Sequence, residues 1–129
     1  MSLVYLGGPI NGCNDSEVHD WREEAKVLLA ERGHSWLDPS DHDFRGRERV
    51  PSVTACIVEE DKAAIAESGI LLMNCPRPSW GTAMEILYGW ELNKSVIAMV
   101  PIGAPVSPWL LYHAKVMVAS LAEVIGGLS

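Results

Sequence analysis

The chain has 129 residues, 48% hydrophobic and 21% charged, with a formal net charge of −7 and a mean hydropathy of +0.10. That length suits one domain whose core needs no staples, and the acidic balance argues against a nucleic-acid polymer as partner. No apolar run is long enough to span a bilayer and the start lacks a secretory leader's pattern, so neither membrane nor export is expected. Cys13, Cys56 and Cys75 are odd in number and scattered, which reads as free thiols in a reducing cytoplasm.

Leu3-Val4-Tyr5-Leu6-Gly7 is a strand by composition and length. The loop Gly8-Pro9-Ile10-Asn11-Gly12 follows, where glycines let backbone approach a ligand closely. A plain tight turn and a sugar or phosphate cradle fit this loop equally well. It is not G-x-G-x-x-G and no acid is placed for a ribose, so neither a dinucleotide fold nor any cofactor is expected. Asp15 or Ser16 should cap a helix running to about Arg32 and stopped by Gly33. His34 to Asp38 reads as a second short strand, ended by Pro39.

From Pro39 to Pro51 the chain is polar, either a solvated loop or a cover for a pocket. Asp41-His42-Asp43-Phe44-Arg45-Gly46 begins like a calcium loop, but Arg45 stands at the third ligand position and Ser52 at the closing one. The histidines His19, His34, His42 and His113 show no ligand spacing, so no metal is expected. Val53 to Ser68 is a helix closed by Gly69. Ile57, Asp61, Ala64, Ile65 and Ser68 recur at helical spacing, which puts Asp61 on the stripe facing the sheet. A carboxylate there is either paired or pushed toward its protonated form by desolvation. It is thus a structural partner or a general acid.

Gly69 to Asn74 is a buried strand, and Ala83 to Asn93 a helix that is apolar nearly all round. One side of that helix should meet the sheet and the other a second subunit. The connection from Cys75 through Pro76, Pro78, Ser79, Trp80 and Gly81 carries turn chemistry. Glu85 is expected in the first helical turn, where the dipole favours an ionised carboxylate. Thr82-Ala83-Met84-Glu85 also fits a capping box, in which Glu85 would only reach back to the cap amide. Ser95 to Val100 is a fourth strand, followed by a proline-rich loop from Pro101 to Pro108 and a short segment through His113. Ala114 to Val118 is the last strand, and Ser120 caps a final helix. Strands alternating with helices imply parallel pairing and right-handed crossovers. The fold class is therefore α/β: a flavodoxin-like, doubly wound five-stranded sheet in order 2-1-3-4-5, three layers α/β/α.

The segments Val4-Tyr5-Leu6-Gly7-Gly8-Pro9-Ile10, Asp61, Pro78-Ser79-Trp80-Gly81-Thr82-Ala83-Met84-Glu85 and Ser107-Pro108-Trp109-Leu110, in that order and spacing, resemble the nucleoside 2-deoxyribosyltransferase superfamily. That superfamily includes N-glycosidases that hydrolyse nucleoside 5′-monophosphates. The resemblance spans nearly the whole chain and implies one such domain over residues 1–129. It implies Glu85 as nucleophile, Asp61 as proton donor and Tyr5 as the group that orients the nucleophile. Gly8, Pro9, Ile10, Asn11, Gly12, Ser79, Trp80 and Gly81 would contact the substrate. Sites would lie at a subunit interface in a homodimer or higher oligomer, with the Ser107 loop reaching into the neighbour's pocket. The substrate would be a nucleoside or a nucleoside 5′-monophosphate. Two departures bear on which: the transferases proper carry an aspartate at the position of Ser79, whereas the hydrolases carry a serine there. Those hydrolases often carry a basic residue where this chain has Asn11.

The chemistry is coherent from the residues upward. Breaking a C1′–N bond builds oxocarbenium character, which a carboxylate beneath the anomeric carbon can stabilise or capture, while a protonated acid assists the leaving base. The sugar would then pass to water or to another base. The rival expectation is a non-catalytic nucleotide-binding module on the same fold, which would need no buried Asp61.

Overall fold

Period-two alternation along the strands decides which side chains meet the ligand-binding edge. The computed structural model describes residues 1–128. Strands β1 (Leu3–Gly7), β2 (Ser35–Leu37), β3 (Ile70–Asn74), β4 (Ser95–Met99) and β5 (Val116–Val118) form a parallel sheet in order β2-β1-β3-β4-β5. This is the flavodoxin-like order expected from the sequence. The helices are α1 (Asp15–Glu31), α2 (Pro51–Glu67), α3 (Trp80–Glu91), α4 (Pro108–His113) and α5 (Leu121–Gly127).

On one face Val4, Leu6, Leu72, Ile97 and Met99 pack with Ala25 and Leu29 of α1 and with Leu121, Val124 and Ile125 of α5. On the other, Tyr5, Leu71, Met73 and Val96 pack with Ile65 of α2 and Ile86 of α3, with Leu110 of α4 against them. Each fully buried aliphatic side chain contributes about 1.5–3 kcal/mol of transfer free energy. Tyr5 is the odd member of a strand otherwise built for hydrocarbon. The register pairs it with Leu37 and Leu71, and its phenol points to the α2–α3 side. α3 approaches β3 closely because residue 89 is glycine: a methyl there would collide with Leu71.

Several boundaries differ from the sequence expectation. Asn14, not Asp15 or Ser16, caps α1; its side chain accepts from the Glu17 amide at 2.8 Å, and Glu17 accepts from the Asn14 amide at 3.1 Å. The reciprocal pair outcompetes a lone serine or aspartate because it satisfies two free amides. α2 starts at Pro51, two residues early, since proline is pre-set for the first helical position. β2 and β5 are shorter than expected, Ser35–Leu37 and Val116–Val118. As edge strands they have one neighbour each, so pairing ends sooner. α3 ends at Glu91 and turns through Asn93, whose φ is 62°. At its other end α3 begins at Trp80, and Ser79 is its N-cap. The capping box expected at Thr82 is therefore absent, and Glu85 lies in the second turn.

Candidate active site

The strand order reverses between β1 and β3, so the segments leaving their carboxyl ends diverge and open a crevice. A cavity of about 640 Å³ lies there. Gly8 to Asn11 line it from the β1 side, and Arg77 to Thr82, Met84 and Glu85 from the β3–α3 side. α2 adds Ile57, Asp61 and Ile65, and the polar stretch after β2 adds His42, Phe44, Arg45 and Glu48. That stretch is thus a cover as well as a loop. Arg45 ties it down, donating to the Cys13 carbonyl at 3.1 Å and pairing with Asp15 at 2.5 Å and Asp43 at 2.8 Å.

The phenol of Tyr5, with no exposed surface, donates a short hydrogen bond to Glu85 Oε2. Eighty positions separate the two in sequence. They meet because Tyr5 faces the α2–α3 layer and Glu85 occupies the sheet side of α3, one residue before the buried Ile86. This bond replaces the capping role: Glu85 is committed to β1, and Ser79 Oγ faces the Thr82 amide at 3.5 Å. Burial raises the Glu85 carboxyl to about 8, with the charge of Asp61 adding and the Tyr5 hydroxyl and Arg22 opposing. Burial likewise raises Asp61 to about 6, with Glu60 adding and Arg22 opposing. The Tyr5 phenol is pushed far above its usual range, by burial first and then by Glu85 and Asp61. It therefore stays a donor. Two carboxyl groups lining one cavity with raised pKa values hold about one proton between them near neutral pH; that proton rests mainly on Glu85, and attack by Glu85 with acid assistance draws on the less populated arrangement in which Asp61 holds it.

Of the residues singled out in the sequence, Gly8, Pro9, Ile10, Asn11, Asp61, Ser79, Trp80, Gly81 and Glu85 all line the cavity. Tyr5 lies beneath it. Gly12 lies outside the lining, at a positive φ of 75° in the turn before Cys13. Ser107 is also outside: it caps α4, its hydroxyl accepting from the Trp109 amide at 3.1 Å. Sequence reasoning missed the buried Arg22 behind β1. The available signal was a cation within the stripe Val18, Arg22, Ala25, Leu29, the four buried positions of α1. Thr82, read from the sequence as a cap, is instead a buried hydroxyl at the cavity with no hydrogen-bond partner among the described residues. Among the described residues no group of three or more His, Cys, Asp or Glu is placed to hold a metal, and no helix is long and apolar enough to cross a membrane.

Residues 4–123 match the family model described as nucleoside 2-deoxyribosyltransferase. No curated protein matches the chain. Among solved structures, a 2-deoxyribosyltransferase from Bacillus psychrosaccharolyticus is similar at 19% identity and TM-score 0.70, covering 98% of this chain and 92% of its own. A CMP N-glycosidase from Clostridium botulinum is similar at 18% identity and TM-score 0.64, with 96% of each chain covered. A conserved protein from Enterococcus faecalis reaches TM-score 0.74 at 14% identity, covering 98% and 96%. At these identities the likeness establishes the shared fold.

Proposed function

The chain belongs to the nucleoside 2-deoxyribosyltransferase family, and from that premise we propose that it cleaves the N-glycosidic bond of a nucleoside or nucleoside 5′-monophosphate through a glycosyl–Glu85 ester. The observation that carries the reading is the Tyr5–Glu85 hydrogen bond at the floor of a cavity that Asp61 also lines. A carboxylate raised to about 8 and another raised to about 6 are a standing cost to stability. A module that merely bound nucleotides would have no reason to carry that cost.

Glu85 Oε attacks C1′ as the C1′–N bond breaks, and Tyr5 holds the carboxyl in the attacking orientation. Asp61 gives its proton to the departing base, so negative charge does not build on the base, while the Glu85 carboxylate meets the oxocarbenium character that develops at C1′. The ester then passes the sugar to water, with the regenerated Asp61 carboxylate taking the water's proton, or to a second base. The residue set 1–129 acts as one domain of this kind, without cofactor or metal. Ser79 supports a 5′-monophosphate: its hydroxyl sits at the start of α3, beside free helix amides, and can donate to a phosphate oxygen.

The enzyme works as a homodimer or larger oligomer. Supporting this, Trp80 is 86% exposed and Trp109 72% exposed. Met84 of α3 and Leu111 and Tyr112 of α4 are exposed as well, and Ser107 lies outside its own chain's cavity. Three free thiols suit a reducing cytoplasm. The test is release of free base from a panel of nucleosides and their 5′-monophosphates, by wild type and by Glu85→Ala. The reading requires release by the wild type and none above background by the variant. Equal release by both, or by neither, overturns it.

A further inference from the structure

Arg22 heads the fully buried side chains by volume, and the chemistry above makes no use of it. A buried guanidinium is costly unless its donors and its charge are both answered. Its donors are answered by backbone: Nη1 donates to the Val18 carbonyl at 2.6 Å, Nε to Leu6 at 3.2 Å and Nη2 to Gly8 at 3.2 Å. Its charge is answered only in part. Asp38, just past β2, places Oδ1 3.4 Å from Nε, but that oxygen also accepts from the Ser40 amide and hydroxyl, and Oδ2 is 2.7 Å from Lys26 Nζ. Asp38 is thus shared between two cations. Unanswered positive field remains at the carboxyl end of β1, where Tyr5, Glu85 and Asp61 are gathered.

We propose that Arg22 is a positioning residue for the reaction: its fork fixes the Leu6–Gly8 backbone at the cavity floor, and its fixed charge, held beneath the carboxyl end of β1 beside Tyr5, makes the Glu85 carboxyl easier to ionise than burial alone would leave it. The second half rests on the reading of Glu85 as nucleophile. The charged groups that act on Glu85 come from three elements, while His42, Arg45, Glu48, Lys62 and Arg77 line the wider cavity. β1 contributes Tyr5, α2 contributes Asp61 with Glu60 beside it, and α1 contributes Arg22; Cys13 and Asp38 face Arg22 itself. Of these Arg22 is the cation, and it acts in the same direction on Glu85, Asp61 and Tyr5. Lys62, Arg45 and Arg77 also line the cavity, but Arg45 and Arg77 are paired with Asp15, Asp43 and Glu17, and Lys62 lies over the Tyr88 ring. Lysine would bring the charge without the planar fork, and glutamine some of the hydrogen bonding without the charge.

The two substitutions therefore separate the halves of the proposal. Carboxyl-labelled glutamate in the full chain lets carbon NMR follow Glu85 through pH in the absence of substrate, its resonance assigned by its loss in Glu85→Gln. Arg22→Gln should move the Glu85 midpoint upward by about one pH unit. Arg22→Lys should leave it within about 0.3 unit while lowering kcat/KM through the loosened Leu6–Gly8 backbone. An unmoved midpoint in folded Arg22→Gln overturns the proposal, because a purely structural clamp would lower melting temperature and activity without touching that titration. Should Arg22→Gln fail to fold, Arg22→Met takes its place, since it too removes the charge while keeping the bulk: a raised Glu85 midpoint upholds the proposal and an unmoved one overturns it. Turnover surviving in Glu85→Gln would remove the nucleophile reading yet leave the titration result standing, so the two failures are distinguishable.

Discussion

Replacing Glu85 by glutamine should stabilise the protein at alkaline pH while abolishing its activity. Glu85 titrates higher in the folded chain than in the unfolded one, so folding carries no penalty from it below about pH 4.5. The penalty grows as pH rises through the folded value of about 8. A rise from 4.5 to about 8 corresponds, at about 1.4 kcal/mol per pH unit, to roughly 5 kcal/mol if the site were rigid. Reorientation of nearby dipoles and entry of water reduce this to about 2–4 kcal/mol. Glutamine is nearly isosteric and keeps an oxygen to accept from Tyr5, so it forfeits little packing. At pH 9 the variant should therefore melt roughly 8–16 °C above wild type, at about 4 °C per kcal/mol for a chain of this size. At pH 5 the two should nearly coincide. Urea or thermal unfolding of both proteins at the two pH values measures the difference. A variant less stable than wild type at pH 9, or a gap independent of pH, would refute the claim that Glu85 is held in a desolvated, strained ionisation balance.

Asp61→Asn should slow cleavage of natural bases by about 10²–10⁴-fold and leave substrates with highly activated leaving groups much less affected; equal losses on both would remove Asp61 as the acid. Wild-type kcat/KM should be bell-shaped, with limbs set by the pair near pH 6 and pH 8, and the alkaline limb, which ionisation of the required acid produces, should vanish in Asp61→Asn. Ser79→Asp should cut the preference for a 5′-monophosphate over its nucleoside by at least ten- to hundredfold, since a lost charge-assisted hydrogen bond is worth about 1.5–3 kcal/mol and repulsion adds to it; an unchanged ratio would leave Ser79 as a helix cap alone. Sedimentation should find at least a dimer at micromolar concentration, which Trp109→Asp should dissociate with loss of activity; a fully active monomer would refute shared sites.

The sheet was legible because its signals are local and redundant: short apolar runs separated by helices can pair in few ways, and β1, β3 and β4 fall where composition puts them. Asp61 was legible for the same reason, as a charge on an apolar helical stripe. What local pattern could not carry was the choice between two caps three residues apart. Ser79 and Thr82 both precede acceptable helical sequence, and Trp80-Gly81 resembles a turn when read alone. Tertiary structure decides it, because Glu85 gains more from the buried Tyr5 hydroxyl than from reaching back to an exposed amide. Arg22 escaped notice because a lone arginine in an amphipathic helix reads as solvated. Only the convergence of three carbonyls and Asp38 makes its burial tolerable.

The central claim is a covalent sugar on Glu85, and a nucleoside carrying fluorine at C2′ tests it most directly. Fluorine destabilises oxocarbenium character and slows release from the ester, which lets the intermediate accumulate. Intact-mass and peptide-mapping spectrometry should then find one added fluorosugar per chain, on the peptide containing Glu85, and none in Glu85→Gln. Base released with no adduct, or an adduct on another residue, would contradict the account.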